Sequence, residues 1–322
     1  MTDAINRVNA MVGIAPVKRQ IQELAATSMI DAERAQMGLP VKDRTMHLVF
    51  SGAPGTGKTT VAREIGQMYY SLGLVEKDPS QNGWREVRRA DLVGEYQGQT
   101  AAKVKGVFEG KNGEEGIAGG VLFVDEAYDL YHGDQDAYGR EAITELLAQA
   151  ENNRSNTVVI LAGYGPQMEE LFGSNPGLRR RFPTTLDFPE MSLDDRYKVM
   201  QGLLRDNQHT VGRGDDADMV REAMVEALSY TGAGNAGDVR NLYDKISTAQ
   251  KVRLASQRQA RGDKPWTKRE LSQITVEDVR QGMGAYAEQA HVSDPIKGRL
   301  VPTSRKKSSK PPKPRGHLKR VA

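Results

Sequence analysis

The stretch SGAPGTGKTT, at positions 51–60, has the residue types and spacing that bind phosphate. It matches the pattern G-x-x-x-x-G-K-[ST], with Gly52, Gly57, Lys58 and Thr59 at the fixed positions. Glycines let successive backbone N–H groups turn inward around an anion, and a helix that begins near Lys58 adds its positive end. Lys58 can reach the β- and γ-phosphates of ATP, and the Thr59 hydroxyl can ligate Mg²⁺. The sequence therefore predicts a site for ATP and Mg²⁺, formed by Ala53, Pro54, Gly55, Thr56, Gly57, Lys58, Thr59 and Thr60.

A pair of adjacent acids, Asp125 and Glu126, follows the apolar run GGVLFV. Open α/β sheets bind ligands at the carboxyl ends of their strands, and buried strand tips seldom carry paired acids without a cation. Asp125 can hold the coordination shell of Mg²⁺ there, and Glu126 can polarise the attacking water. The pair therefore predicts hydrolysis of the nucleotide in addition to binding.

The elements that must position these residues are short β-rich runs separated by helical patterns, from about residue 11 to residue 189. The runs are MHLVFSG, WREVRR, GGVLFVDEA, NTVVILAGY and TTLDFP. Such alternation predicts the α/β fold of a P-loop NTPase, with a parallel sheet covered by helices on both faces.

The chain beyond Pro189 has no further β-rich runs and shows helical spacing of its apolar residues instead. Two capping-box pairs, Thr267 with Glu270 and Thr275 with Asp278, predict the starts of two later helices. We therefore expect a nucleotide-binding domain at residues 1–190, a small all-α domain at residues 191–292 and a basic disordered tail at residues 293–322.

Composition and charge indicate the general class of protein. The first twenty residues lack an apolar signal segment, and the longest apolar runs, VLFV and VVILA, are too short to span a bilayer. The 322 residues include no cysteine, which excludes disulfides and thiolate nucleophiles. Residues 293–322 hold ten Lys or Arg and one acid, which gives this segment a net charge of +9. Because the whole chain has a net charge of +3, residues 1–292 carry −6. These features predict a cytoplasmic globular protein with no membrane partner.

Several motifs of the chain resemble the AAA+ ATPases, in particular the CbxX/CfqX group, which includes red-type Rubisco activases and cytosolic ATPases of type VII secretion. The matching words span about residues 10 to 255 in the order of the family. They are MVGIAPVKRQI, SGAPGTGKTT, RADLVGEYQGQT, GGVLFVDEAYDL, VVILAGY, SNPGLRRRF and GNAGDVRNLYDKI. The resemblance implies a hexameric ring with nucleotide at each subunit interface, and it makes the all-α domain a lid over the nucleotide.

The resemblance also implies roles for residues outside the phosphate loop. In MVGI, the backbone of Val12 and Gly13 would contact adenine. In SNPGLRRRF, Arg181 would be the arginine finger that stabilises the γ-phosphate of a neighbouring subunit, with Arg179 as a second candidate.

Two positions differ from a common AAA+ pattern. Tyr164 stands where many AAA+ proteins have a polar sensor residue, and its hydroxyl could point toward phosphate or simply be packed. Gly237 stands where this group usually has the sensor 2 arginine. Arg240 lies about one helical turn further on and is the candidate to replace it.

The loop LVGEYQGQT would line the central channel of such a ring, with Tyr96, Gln97 and Gly98 touching a polypeptide. Gln97 replaces an apolar residue that is usual in the family. The alternative is that Tyr96 packs back onto the edge of the sheet.

Three functions remain open from the sequence. The favoured one is an ATP-driven ring that remodels or partly unfolds a protein client. The second is a nucleic-acid-associated loader or translocase anchored by the basic tail, since clustered cations neutralise phosphates. The third is a nucleotide-dependent switch that hydrolyses ATP slowly. The client, and a bacterial or a bacteriophage origin, are left open.

Overall fold

A computed structural model of the chain describes residues 2–41, 45–96, 98–111, 113–231 and 235–289. Within these residues, five parallel strands form a sheet of order β2-β5-β6-β1-β7. The strands are β1 (Leu48–Gly52), β2 (Trp84–Val87), β5 (Val121–Val124), β6 (Val158–Gly163) and β7 (Thr184–Phe188), and a separate hairpin joins β3 (Gly110–Lys111) to β4 (Glu114–Glu115). The sheet confirms the predicted P-loop fold, and each of its strands falls within one of the five predicted β-rich runs.

Helices connect the strands of this sheet and pack on both of its faces. They are α1 (Thr2–Ala10), α2 (Ala15–Gln36), α3 (Lys58–Ser71), α4 (Arg89–Leu92), α5 (Gln99–Glu109), α6 (Ala137–Asn152), α7 (Gly165–Ser174) and α8 (Pro176–Arg181), and a 3-10 helix spans Ala127–Leu130.

Alternate side chains of the central strands enter two apolar layers, as the two-residue period of a strand requires. Leu122 and Val124 of β5 pack with helices α5 and α6 on one face. Val121 and Phe123 of the same strand pack with α2 and α3 on the other face. Because both faces are covered, β5 is apolar along its whole length, and the first polar side chains occur where it ends.

The strand register brings the carboxyl ends of β1, β5 and β6 to one edge of the sheet. Ser51 of β1 lies opposite Gly163 of β6, and Val124 of β5 lies opposite Leu161 of β6. The phosphate loop after β1 and the paired acids after β5 therefore share that edge.

The chain after β7 forms a helical unit with its own apolar core. It contains α9 (Leu193–Asp206), α10 (Asp215–Ser229), α11 (Asn235–Arg261), α12 (Lys268–Ser272) and α13 (Val276–Gln289). Both predicted capping boxes are confirmed. The Thr267 hydroxyl accepts from Glu270 N–H at 3.3 Å, and the Thr275 hydroxyl accepts from Asp278 N–H at 3.3 Å.

Two predictions fall outside the described residues. Gln97 is one, and the basic tail at residues 293–322 is the other. In the part of the chain that the structure describes, the helices are too short or too polar to cross a membrane.

Candidate nucleotide site

The phosphate loop connects the end of β1 to the start of α3, and its glycines adopt conformations that other residues rarely take. Gly55 and Gly57 have φ of 73° and 94°, in the left-handed region. A Cβ at Gly52 would lie 2.5 Å from the Phe188 carbonyl oxygen. The loop can therefore curl tightly just before the first residue of α3, and a tight loop at a helix N-terminus is an arrangement that binds phosphate.

The Lys58 side chain lies over this loop. Its Nζ donates hydrogen bonds to the carbonyl oxygens of Gly52 at 2.7 Å and Ala53 at 3.0 Å. Burial lowers the pKa of Lys58, and the nearby charges of Asp125 and Glu126 oppose that shift. The ammonium is thus held among acceptors that a phosphate oxygen can replace.

A cleft of about 520 Å³ lies above the loop, within the range of about 300–1,000 Å³ that is usual for ligand sites. It collects residues from the sheet edge and from the helical unit. The predicted site residues that line it are Val12, Pro54, Gly55, Thr56, Gly57, Lys58, Thr59, Thr60, Asp125, Glu126, Tyr164 and Arg240. Gly13 and Ala53 do not line the cleft, and Gly237 does.

Asp125 and Glu126 stand at the mouth of this cleft, directly after β5. The Asp125 N–H is bonded to the Val87 carbonyl oxygen at 2.9 Å, which fixes the start of the turn. Glu126 has φ of 51°, a conformation that costs about 1–3 kcal/mol in a non-glycine residue. Such strain is common at functional sites, and Glu126 is an exposed residue that lines the cleft together with the phosphate loop.

The donor set fits a Mg²⁺ ion that is shared with phosphates. Among the described residues, no three His, Cys, Asp or Glu side chains are placed to hold a metal by themselves. Mg²⁺ bound to a nucleotide needs only one or two protein oxygens, because phosphates and water supply the rest. The Thr59 hydroxyl and the Asp125 carboxylate both line the cleft and could supply those oxygens.

The helical unit contacts the phosphate loop through Asn235, a residue that the sequence reasoning did not single out. This side chain is fully buried, and its φ of 53° is left-handed. Its Oδ1 accepts the Met191 N–H at 2.6 Å, and its Nδ2 donates to the Pro54 carbonyl oxygen at 3.2 Å. The next N–H, of Ala236, donates to the Gly55 carbonyl oxygen at 3.1 Å. The phosphate loop is thereby joined directly to the start of α11.

Tyr128 is a second cleft residue that the sequence did not indicate. Burial raises the pKa of Tyr128, and the charge of Glu126 adds to the shift. Tyr164 also lines the cleft with 44% of its surface exposed, so it is not packed away. Met11, Met191 and Val199 complete an apolar part of the lining that suits a flat base.

The two arginine-finger candidates, Arg181 and Arg179, and the tyrosine predicted to line a channel, Tyr96, do not line this cleft. Arg181 Nε is 3.3 Å from a carboxylate oxygen of Glu151, and 23% of the Arg181 side chain is exposed. Arg179 is 60% exposed and pairs with Glu169 at 2.7 Å. Tyr96 is 67% exposed, so the alternative in which it packs back onto the sheet is not observed.

A larger groove of about 1110 Å³ lies in the helical unit, away from the phosphate loop. Its lining includes Arg213, Lys268 and Arg269. It has no glycine-rich loop that could wrap a phosphate and no acid in its lining, so it is not the nucleotide site.

Comparison with known proteins agrees with this geometry. Residues 48–190 match the family model "ATPase family associated with various cellular activities (AAA)", and residues 207–289 match the AAA lid domain. The chain is 36% identical over 270 residues to a CfxQ homolog of Galdieria sulphuraria, covering 84% of each chain. It is 38% identical over 278 residues to protein CbbX of Cereibacter sphaeroides, covering 84% of this chain and 83% of CbbX.

A more distant curated relative and a solved structure extend the comparison. Stage V sporulation protein K of Bacillus subtilis is 34% identical over 250 residues, covering 77% of this chain and 74% of the relative. The crystal structure of the FIGL-1 AAA domain superposes with a TM-score of 0.56 over 88% of both chains, at 18% identity. That likeness supports the fold alone.

Proposed function

We propose, from the premise that this chain belongs to the CbxX/CfxQ family of AAA ATPases, that it uses the hydrolysis of Mg-ATP to remodel or partly unfold a protein client. The chain is an ATP-hydrolysing enzyme of that family. The observation that carries the proposed work on a client is the exposed Tyr96, which lies on the surface of the nucleotide-binding unit and does not line the cleft.

The cleft residues have separate roles in this proposal. The phosphate-loop N–H groups and Lys58 bind the phosphates, while Thr59 and Asp125 would hold Mg²⁺. When bound, this ion would supply positive charge that offsets the charge of the phosphates. Glu126 accepts a proton from the attacking water or orients that water, because it is an exposed carboxylate beside the acid that holds the metal. Arg240, on α11, brings a cation from the lid to the same cleft.

A ring of subunits, hexameric in this proposal, completes the site. Arg181 and Arg179 lie on α8, outside the cleft of their own chain. A guanidinium that cannot serve its own cleft can serve that of a neighbour, where it would stabilise charge on the γ-phosphate. Arg179 is the more exposed of the two, and Arg181 would have to leave Glu151 to reach a neighbour.

The loop between α4 and α5 would contact the client. Tyr96 presents an aromatic ring to solvent, and Gly98, two residues later and with φ of 82°, is the residue just before α5. An aromatic ring can bury apolar area against many different polypeptide segments, so several such loops could grip a chain without a sequence requirement.

The experiment uses fluorescein-labelled casein as an unstructured protein probe. We expect casein to stimulate ATP hydrolysis by the wild type and to bind the Glu126→Gln variant in the presence of ATP, as read by anisotropy. Tyr96→Ala should lose the stimulation and keep basal hydrolysis within roughly twofold, since Tyr96 does not line the cleft. Tyr70→Ala removes another exposed tyrosine and serves as the matched control.

Full casein stimulation of Tyr96→Ala would contradict the proposal. Stimulation of the wild type by DNA or RNA in place of casein would favour the nucleic-acid function instead.

A further inference from the structure

An ion pair links the nucleotide site to the helix that precedes the Tyr96 loop. Arg88 lies between β2 and α4, and its Nη2 donates to Asp125 Oδ2 at 3.0 Å. The hydrogen bond to Asp125 raises the pKa of Arg88, and the charges of Asp125 and Glu126 add to the shift. The proposed Mg²⁺ ligand therefore already has a cationic partner from its own chain.

The backbone of Arg88 also begins helix α4. Its N–H donates to Asp91 Oδ2 at 2.8 Å, which closes the first turn of the helix. Arg88 therefore connects the nucleotide site to helix α4. Its side chain holds the acid after β5, and its backbone holds the helix that leads to the Tyr96 loop.

The next residue, Arg89, fixes the start of α4. Its guanidinium donates to both carboxylate oxygens of Asp136, at 2.7 and 3.1 Å, and to the Asp129 carbonyl oxygen at 2.8 Å. Leu92, the last residue of α4, is fully buried in the core. The helix is therefore anchored at its first residue, Arg89, and at its last, Leu92. The Arg88 side chain, just before the helix, makes the exposed contact, with 60% of that side chain in contact with solvent.

A carboxylate that is shared between Arg88 and a divalent cation binds each of them less tightly than it would alone, because the two positive charges repel each other. The exposed guanidinium can leave without being buried elsewhere, whereas Asp125 is only 20% exposed and stays where β5 ends. The movable partner of the pair is therefore Arg88.

We propose that Arg88 is a positioning residue that competes with Mg²⁺ for Asp125 and, through α4, makes the order of the Tyr96 loop depend on that carboxylate. The role of the loop in gripping a client rests on the proposed function. The competition rests on the proposed Mg²⁺ site at Asp125 and requires no action on a client.

The test measures metal binding and backbone protection without hydrolysis or a client. The Mg²⁺ concentration that gives half-maximal tightening of fluorescent ADP is compared among the wild type, Arg88→Gln and Arg88→Ala. We expect both variants to lower this midpoint about two- to fivefold, the scale of an exposed ion pair, and to leave the metal-free affinity for ADP unchanged. Arg221→Ala, which removes an exposed pair with Asp218 in the helical unit, should behave as the wild type.

Hydrogen exchange of the amides in residues 88–96 is the second measurement. In the wild type, adding Mg²⁺ to the ADP complex should speed this exchange, because Asp125 releases Arg88. Both Arg88 variants should already exchange fast in ADP alone and respond little to Mg²⁺. The Gln variant keeps a hydrogen-bonding side chain, so it preserves the test if Arg88→Ala is poorly folded.

An unchanged or raised Mg²⁺ midpoint in the folded Arg88 variants would overturn the proposal, as would a normal Mg²⁺ response of the exchange in residues 88–96. Casein can fail to bind or to stimulate hydrolysis while both Arg88 results hold. Failure of the proposed function is therefore distinguishable from failure of this inference.

Discussion

The nucleotide cleft and the outer elements that carry Tyr96 and the arginines of α8 differ in how far one chain completes them. Around the cleft, residues from the phosphate loop, the end of β5 and the start of α11 converge within a single chain. Tyr96 and Arg179 instead extend into solvent at the surface of the same unit. One chain therefore supplies the whole lining of the cleft, whereas the proposed transition-state and client contacts need several chains.

Loss of Lys58 should have the largest effect, because it removes the central cation of the cleft. Lys58→Ala should reduce ATP hydrolysis about 100-fold or more, the scale of a lost charge-stabilising group, and should weaken nucleotide binding. Phosphate release and fluorescent-ADP titration measure the two effects. Lys105→Ala, which removes an exposed lysine paired with Glu109, is the control.

Retention of hydrolysis in Lys58→Ala would show that this cleft is not where ATP is hydrolysed.

Asn235→Ala should have an intermediate effect, because it separates the lid from the phosphate loop. The change leaves the buried Met191 N–H without its side-chain acceptor, which costs about 1–3 kcal/mol. We expect a lower melting temperature and weaker nucleotide binding, measured by thermal unfolding and ADP titration. Asn207→Ala is the matched control, because that exposed side chain bonds only locally, to the Leu203 carbonyl oxygen.

If Asn235→Ala lowered stability and left nucleotide affinity intact, the contact between the lid and the phosphate loop would not contribute to nucleotide binding.

The two regions also differ in how well the sequence predicts them. The phosphate loop and the acids after β5 could be predicted, because their chemistry depends on residues that are adjacent along the chain. The strand order and the contacts of Asn235 could not, since its partners Met191 and Pro54 are 44 and 181 residues away. Arg88 reaches Asp125 across 37 residues, and no local pattern indicates that pair.

A change of pH should have the smallest effect, and it should act through His47, which lies next to the end of α8. His47 is buried next to Phe182, its Nε2 contacts the Ala150 carbonyl oxygen at 2.9 Å, and its Nδ1 accepts the Val159 N–H at 3.1 Å. Burial lowers the pKa of His47 below its usual value, although the Ala150 bond and Glu151 oppose the shift. The unfolded chain thus binds a proton more readily than the folded chain.

Stability from His47 is therefore complete above about pH 6.5 and falls as the pH decreases, by at most about 1.36 kcal/mol per pH unit. Thermal unfolding between about pH 7.5 and pH 5 measures this dependence, because this range spans the histidine pKa of about 6.5 in the unfolded chain. His47→Gln should flatten the curve, and His132→Gln, at an exposed histidine, should leave it unchanged. An equal slope in His47→Gln would remove His47 as the cause.

The most direct test of the central claim, that hydrolysis combines one chain's acids with a neighbour's arginine, is a mixing experiment. Glu126→Gln lacks the acid and keeps the arginines, while Arg181→Ala keeps the acid, and Arg179→Ala is mixed in parallel to decide between the two guanidiniums. We expect a mixture of Glu126→Gln with one arginine variant to hydrolyse ATP faster than the sum of its separate components. Rates that are only additive for both arginine variants would contradict it.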